Sequence, residues 1–340
     1  MSDIEDHLTD WGIIPNPPEG FRSGFVGIIG RPNVGKSTLM NQLVGQKIAI
    51  TSPVAQTTRN RLRGILTTPT AQLIFVDTPG IHKPHHQLGE VLVKNAQIAI
   101  RSVDVLLFVV DGSVEAGGGD RFIADLLKDI EIPVILGINK ADQQPGGEGQ
   151  KGRGIKEEGE GEGTGRRLSS LPVHPFDQTY QALAQDQGWA IAKFSALTGD
   201  GLDPLLERLI QNLEPGPYYY PPDLVTDQPE RFIMGELIRE QILLHTREEV
   251  PHSVAIIVDR VEEAPTITHV WATILVERDS QKGIVIGKKG AMLKEIGSAA
   301  RQQIQKLVMG NVYLELFVKV QPGWRQSRTR LADLGYRVEE

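Results

Sequence analysis

A chain of 340 residues exceeds the roughly 250–300 residues at which a single core stops growing, so two domains are expected. Its 40% hydrophobic and 23% charged residues exclude a fibrous or wholly disordered chain, and the absence of cysteine excludes a disulfide scaffold, a zinc ribbon, an iron–sulfur site and thiol catalysis. Net charge is −7, yet the stretch from Gln281 to Glu340 holds 11 Lys/Arg against 5 Asp/Glu, which leaves +6 there and −13 before it, as expected of one acidic domain and one that meets a polyanion.

Residues 1–23 carry Pro15, Pro17, Pro18 and Gly20 without sustained periodicity and read as a flexible leader. They lack a basic segment followed by an apolar one, so no signal peptide is expected, and no run of 18 apolar residues predicts a membrane span. From 24 to 214, strand-length apolar runs at 25–29, 73–76, 103–110, 132–138 and 190–194 alternate with helical stretches at 36–44, 87–101, 121–128 and 202–213. That alternation predicts a doubly wound, mostly parallel α/β sheet. The interval 143–170, with nine glycines and a Glu/Gly run at 157–163, reads as a disordered insertion. Residues 215–229 open with Pro215-Gly216-Pro217-Tyr218-Tyr219-Tyr220-Pro221-Pro222 and read as a stiff, extended linker whose tyrosines pack on a domain. From 230 to 340, a helix at 232–245, strands at 253–258 and 270–276, a helix at 291–307 and a strand at 312–320 predict a small α+β domain.

The run Gly30-Arg31-Pro32-Asn33-Val34-Gly35-Lys36-Ser37 follows the first strand and opens the first helix, the setting of a phosphate-binding loop. Backbone N–H groups and the helix N-terminus face phosphate, with Gly30, Asn33, Val34, Gly35, Lys36, Ser37 and Thr38 as the expected contacts. Lys36 reaches the β- and γ-phosphates, and the Ser37 hydroxyl ligates Mg²⁺. In Asp77-Thr78-Pro79-Gly80, at the end of the next buried strand, Asp77 can hold a water on that Mg²⁺ while the Gly80 N–H approaches the γ-phosphate. Asn139-Lys140-Ala141-Asp142 selects the base: guanine offers N1–H and N2–H₂ donors side by side, and the Asp142 carboxylate can accept both. Ser195-Ala196-Leu197 follows the last strand, where a backbone N–H can meet the guanine O6.

These four elements, in this order, resemble those of translation-factor-class GTPases. The resemblance implies a switch threonine between the first helix and the second strand, and Gln56-Thr57-Thr58-Arg59 lies there, with Thr58 the first candidate to close on Mg²⁺ and Thr57 beside it. Lys36, Thr58, Gly80 and Asn33 are the residues expected to act in hydrolysis. Ile81 stands where Ras-type enzymes orient water with a glutamine. Asn33 is similar to the asparagine that helps hold K⁺ in related cation-dependent GTPases, which implies slow unaided hydrolysis stimulated by K⁺.

In the second domain, Ile286-Gly287-Lys288-Lys289-Gly290 precedes a helix and contains a G-x-x-G loop, where two glycines admit a nucleic-acid backbone and two lysines supply charge, with Ile284 and Val285 offering apolar surface to a base. With the P-loop domain ahead of it, this resembles the Era family, GTPases of the TrmE–Era class that end in a KH domain of α-β-β-α-α-β (type II) order. The resemblance implies a GTP-hydrolysing switch that binds the 3′ region of small-subunit ribosomal RNA and assists assembly of that subunit. GTP or GDP, Mg²⁺ and K⁺ are the expected ligands. The expected state is a monomer in the cytoplasm, with peripheral contact at the inner face of the plasma membrane. A tRNA-modifying GTPase shares the asparagine and the Thr-Thr-Arg switch but would need a catalytic domain absent here, and a signalling GTPase without RNA leaves the lysine loop unexplained. His82, His85 and His86 read as solvated rather than metal-binding, and residues 324–330 as either phosphate contacts or a solvated helix face.

Overall fold

Buried β-branched runs set the strands, and the amphipathic stretches between them cover both faces of one sheet. The computed structural model describes residues 14–52, 62–78, 80, 98, 100, 102–144, 173–308, 310–334 and 336. Strands β1 (Arg22–Ile29), β2 (Leu62–Thr67), β3 (Ala71–Asp77), β4 (Val105–Asp111), β5 (Val134–Asn139) and β6 (Ala190–Lys193) form a sheet ordered β2-β3-β1-β4-β5-β6. All pairs are parallel except β2 against β3. One face buries Val26, Leu39, Phe75 and Leu205 beneath α1 (Lys36–Val44) and α4 (Leu202–Gln211). The other buries Phe108, Ile123, Leu136 and Tyr180 beneath α2 (Gly118–Leu127) and α3 (Pro175–Gln185). Burial on both faces explains why β3 and β5 have no exposed position.

Several expected boundaries are corrected. Phe21 is buried and β1 already pairs at Arg22 with Ala71, so the supposed leader contributes its last residues to the sheet. Gln143 closes a turn of 3₁₀ helix, and Gln144 is buried, donating to Gly112 O at 2.8 Å and to Asp177 Oδ1 at 2.7 Å. The expected insertion at 143–170 therefore cannot begin before Pro145; its remainder lies outside the described residues. The helix expected at 87–101 also lies outside them, apart from helical Ile98 and Ile100. Strand β2 and helix α3 were not foreseen.

The second domain is α5 (Glu230–His245), β7 (Ala255–Ala264), β8 (Ile267–Val276), α6 (Asp279–Ile286), α7 (Ala291–Ile304) and β9 (Asn311–Val320), followed by the short α8 (Arg328–Asp333). Its sheet is ordered β7-β8-β9, with β7 antiparallel and β9 parallel to β8. Thr268, Val270, Ala272 and Ile274 alternate inward along β8, and Val270, Ala272 and Ile274 pack with Ile238 and Ile242 of α5 and Ile296 of α7. Trp324 is fully buried, its Nε1–H donating to Ser253 O at 3.2 Å, and Arg325 pairs with Glu277. Neither expectation for residues 324–330 fits these two: they hold the fold.

The expected extended linker is instead bent at Tyr219–Tyr220 and turned at Pro221–Leu224, where the Leu224 N–H donates to Pro221 O at 3.0 Å, and it is bound at several points to the first domain. Tyr218 packs on Phe21 and Tyr219 on Phe25, with ring centroids 4.4 and 5.3 Å apart. Gln72 Oε1 accepts the N–H groups of Tyr219 and Tyr220 at 2.8 and 3.0 Å. At the outer edge of β2, Ile65 N–H donates to Val225 O at 2.8 Å, Thr226 Oγ1 donates to Arg63 O at 2.7 Å, and the Arg63 guanidinium pairs with Asp227 at 2.6 Å. Among the described residues, no helix is long and apolar enough to cross a membrane.

Candidate functional site

The carboxyl ends of β1, β3, β5 and β6 lie along one rim of the first sheet, which brings four sequence-distant loops to one crevice. After β1, the loop turns through left-handed Asn33 (φ 64°) and Gly35 (φ 98°) into α1. Gly35 is required twice: its φ is strained for any side chain, and a Cβ there would collide with the Asn139 amide. Lys36 is buried, its Nζ donating to Gly30 O at 3.1 Å and Arg31 O at 3.0 Å, so the ammonium is folded back along the loop. Val34 is buried, Thr38 half-buried on the first turn of α1, and Asn33 exposed at the rim.

Burial pushes the Lys36 ammonium down to about 8, against the opposing pull of the Asp77 carboxylate. A polyphosphate favours the charged form, so nucleotide binding above about pH 8 should draw a proton onto Lys36, and affinity should fall as pH rises through that value. Titration calorimetry in buffers of different ionisation enthalpy checks this: uptake near one proton is expected at about pH 9 and little at about pH 7. Equal uptake at both would show that Lys36 does not meet the phosphates.

The Ser37 hydroxyl donates to Asp77 Oδ2 at 2.7 Å, and both lie beside Lys36. Thr78 is buried and donates to Ile28 O at 2.9 Å, which anchors the turn, and Gly80 lies against Pro32 of the phosphate loop. Thr57, Thr58, Ile81, His82, His85 and His86 lie outside the described residues.

Asn139 braces the crevice: its Nδ2 donates to Val34 O at 2.8 Å, and its Oδ1 accepts the Ala196 N–H at 2.9 Å. One side chain thus ties the phosphate loop to the loop after β6. Of the Ser195–Leu197 backbone expected to offer an N–H to the guanine O6, the Ala196 N–H is directed at Asn139 here, while Leu197 beyond it is exposed. Lys140 is left-handed (φ 63°), and its Nζ pairs with Asp111 Oδ2 at 2.6 Å. Although burial alone would raise the Asp111 carboxyl, the bonds from Lys140 and Ser113 hold it below the usual carboxylate range. Asp142 Oδ1 accepts the Ser195 hydroxyl at 2.6 Å, bringing the last two elements into contact. Sequence reasoning missed Asp111 and Asp120. Buried Asp120 accepts from Arg31 of the phosphate loop at 2.7 Å and from the Gly117 N–H of its own helix at 2.9 Å. For Asp111 the available signal was its place at the end of β4, level with Asn139 at the end of β5.

In the second domain, α6 ends at Gly287 (φ 70°), and a 3₁₀ turn of Lys288–Gly290 leads into α7. A Cβ on Gly287 would strike Met292, whereas nothing lies within 4 Å of one on Gly290 (φ 80°), so the loop is backed on one side and open on the other. Lys288 and Lys289 are exposed and Ile286 half-buried. Ile284 is 51% exposed, but Val285 is fully buried in the core and offers no surface to a base, a correction to the expected apolar flank.

Residues 25–140 match the family model of the 50S ribosome-binding GTPase, and residues 249–325 that of the KH domain. The chain is 69% identical to GTPase Era of Nostoc sp. over 343 aligned residues, covering 100% of this chain and 98% of that one, and 67% identical to GTPase Era of Rippkaea orientalis, covering 96% of each. Among solved structures it superposes with a TM-score of 0.81 and 35% identity on Era in complex with MgGDPNP and nucleotides 1506–1542 of 16S ribosomal RNA, covering 93% of this chain and 99% of that one. An Aquifex aeolicus Era variant bound to GDP and aluminium fluoride gives the same score, identity and coverage. Two domains, their order and near-full-length identity agree: the chain belongs to the Era family of GTPases.

Proposed function

We propose that this GTPase binds guanine nucleotide across Gly30–Thr38, Asp77–Gly80, Asn139–Asp142 and Ser195–Leu197, and that its second domain takes the 3′ region of small-subunit ribosomal RNA at Ile286–Gly290 to assist assembly of that subunit. The observation that carries this reading is one chain holding a crevice braced by Asn139 and, after the docked linker, an open lysine-bearing G-x-x-G turn. A relative of the same fold holds MgGDPNP and a 16S ribosomal RNA segment together. Cross-linking the protein to RNA in cells and sequencing the captured fragment tests it. Fragments from the 3′ end of small-subunit RNA are expected, and enrichment of transfer RNA instead would overturn the RNA half.

The Ser37 hydroxyl and the Asp77 carboxylate, 2.7 Å apart, are hard oxygen donors of the kind Mg²⁺ takes. Ser37 would hold the ion directly, Asp77 through a water, and Thr58 or Thr57 from the switch; when bound, Mg²⁺ supplies positive charge against the β- and γ-phosphate oxygens. Lys36 adds charge on the same oxygens, and the Gly80 N–H is the donor for the γ-phosphate. Asp142 reads the guanine edge, while Lys140 is held by Asp111.

No glutamine follows Gly80, so in this reading Asn33, exposed at the rim of the phosphate loop, holds K⁺ beside the phosphates. Hydrolysis should be about tenfold or more faster in K⁺ than in Na⁺, a share of the charge stabilisation that an arginine otherwise supplies. Asn33→Ala should remove the difference in single-turnover rates, and equal wild-type rates in the two salts would end the cation role. We propose further that it works as a monomer in the cytoplasm, where its ribosomal RNA partner is found, with peripheral contact at the inner face of the plasma membrane.

A further inference from the structure

Residues 47–52 join α1 to the stretch that carries Thr57 and Thr58, and they are gripped from two directions. From the nucleotide side, Asn41 on α1 donates through Nδ2 to Ala49 O at 2.7 Å, and its Oδ1 accepts the N–H groups of Ile48 and Ala49 at 3.0 and 2.8 Å. From the second domain, Glu240 on α5 accepts the Thr51 N–H at 2.8 Å, the Thr51 hydroxyl at 3.4 Å and Lys47 Nζ at 2.5 Å. Between these grips sits Ile50, 3% exposed, which packs in the cluster of Ile233, Leu237 and Ile238 of α5 rather than in the core of its own domain.

Glu240 is only 1% exposed. A carboxylate so placed is costly unless donors surround it, and here Thr51 and Lys47, both from the other domain, supply them, with Gln241 a weaker neighbour at 3.4 Å. A continuous mechanical line results. It runs from the phosphate loop through α1 and Asn41 to Ala49, on through Ile50 and Thr51 to Glu240, and so into α5, which packs on the sheet that also supports α6 and α7.

We propose that Glu240 is a positioning residue for GTP hydrolysis: from the RNA-binding domain it sets the chain that enters the switch, and so couples RNA occupancy to nucleotide state. The coupling half rests on the reading of Ile286–Gly290 as an RNA site. By linkage, whatever factor bound GTP imposes on RNA affinity, bound RNA imposes on GTP affinity, and Glu240 carries that factor because it is the polar anchor of the segment in the second domain.

The test uses the full chain with Glu240→Ala and Glu240→Gln. It measures kcat and KM for GTP, GDP affinity, thermal midpoint, and affinity for a 3′-ribosomal RNA oligonucleotide with GDP or with a non-hydrolysable GTP analogue. Glu240→Ala should lower kcat roughly tenfold through lost positioning, with GDP affinity within about twofold of wild type. The ratio of RNA affinities in the two nucleotide states should collapse toward one. Glu240→Gln keeps an acceptor for the Thr51 N–H and should recover most of the kcat. Where Glu240→Ala does not fold, Lys47→Met removes the ion pair from its more exposed side and should show a smaller loss of kcat at unchanged GDP affinity. Wild-type kcat and coupling in these variants would overturn the proposal. So would a joint loss of kcat, GDP affinity and thermal midpoint that Glu240→Gln does not rescue, since that marks a purely structural residue. A wild type that binds no RNA would overturn the RNA reading and the coupling with it, and the kcat of Glu240→Ala would then decide the positioning role alone.

Discussion

Replacing Asp142 by Asn should lower GTP affinity by about two to four orders of magnitude, because two donors on guanine lose a charged acceptor worth roughly 1.5–3 kcal/mol per bond. Asp142 stands in the 3₁₀ turn Ala141–Gln143, and its Oδ1 accepts the Ser195 hydroxyl at 2.6 Å. Ser195 in turn accepts the Thr198 N–H at 3.1 Å, so the hydroxyl is fixed and keeps the same oxygen of the variant's amide turned toward it. The amide NH₂ then takes the place of the second carboxylate oxygen. Against guanine it sets donor against donor, whereas the 2-oxo group of xanthine accepts from it. Competition between GTP and XTP should therefore show a preference inverted toward XTP. Persistent GTP preference would place Asp142 outside the base site.

The second large effect is on RNA. Lys288→Asp with Lys289→Asp reverses the charge of an exposed turn while leaving Gly287 and Gly290 to adopt their left-handed conformations. Binding of a single-stranded 3′-ribosomal RNA oligonucleotide should fall by about a hundredfold or more at moderate salt. The slope of log affinity against log salt should flatten by about 0.7 for each RNA phosphate no longer neutralised. Nucleotide affinity measured without RNA should not change. The full chain is the proper material, because Ile50 and the linker join the domains. Wild-type RNA affinity in the double variant would remove the turn from the RNA site.

Much of this site was legible because its chemistry is local. A run such as Gly30–Ser37 carries its own turn residues, charge and helix start, and Asp77 and Asn139 each end a buried strand, so position along the chain implied position in the crevice. What escaped reading depends on contacts between distant residues. Nothing near Asn139 in sequence tells that its amide spans from Val34 to Ala196, or that Glu240 serves Thr51. Strand β2 was missed because Arg63 and Gly64 interrupt a short apolar run on an edge, and α3 because its start follows directly on the Gly/Glu-rich interval. Trp324 looked superficial among arginines, yet Tyr336 and Leu331 close over it, a packing that only the folded C-terminal segment creates. Val285 misled in the opposite sense, since an apolar residue beside a glycine loop reads equally as groove or as core.

The docking of the linker on β2 also bears on how the protein keeps to itself. In a sheet ordered with β2 outermost, the Ile65 N–H and the Arg63 carbonyl would form a bare template for any passing strand, the route by which sheets aggregate or exchange segments. Val225 and Thr226 occupy those two groups, and Tyr219 and Tyr220 close on Gln72 of the neighbouring strand. The segment that joins the two domains therefore doubles as a guard on that edge. A chain cut after Glu214 would keep every nucleotide-site residue and still lose that guard, along with the shelter for Ile50, leaving a sticky edge beside an uncovered apolar side chain.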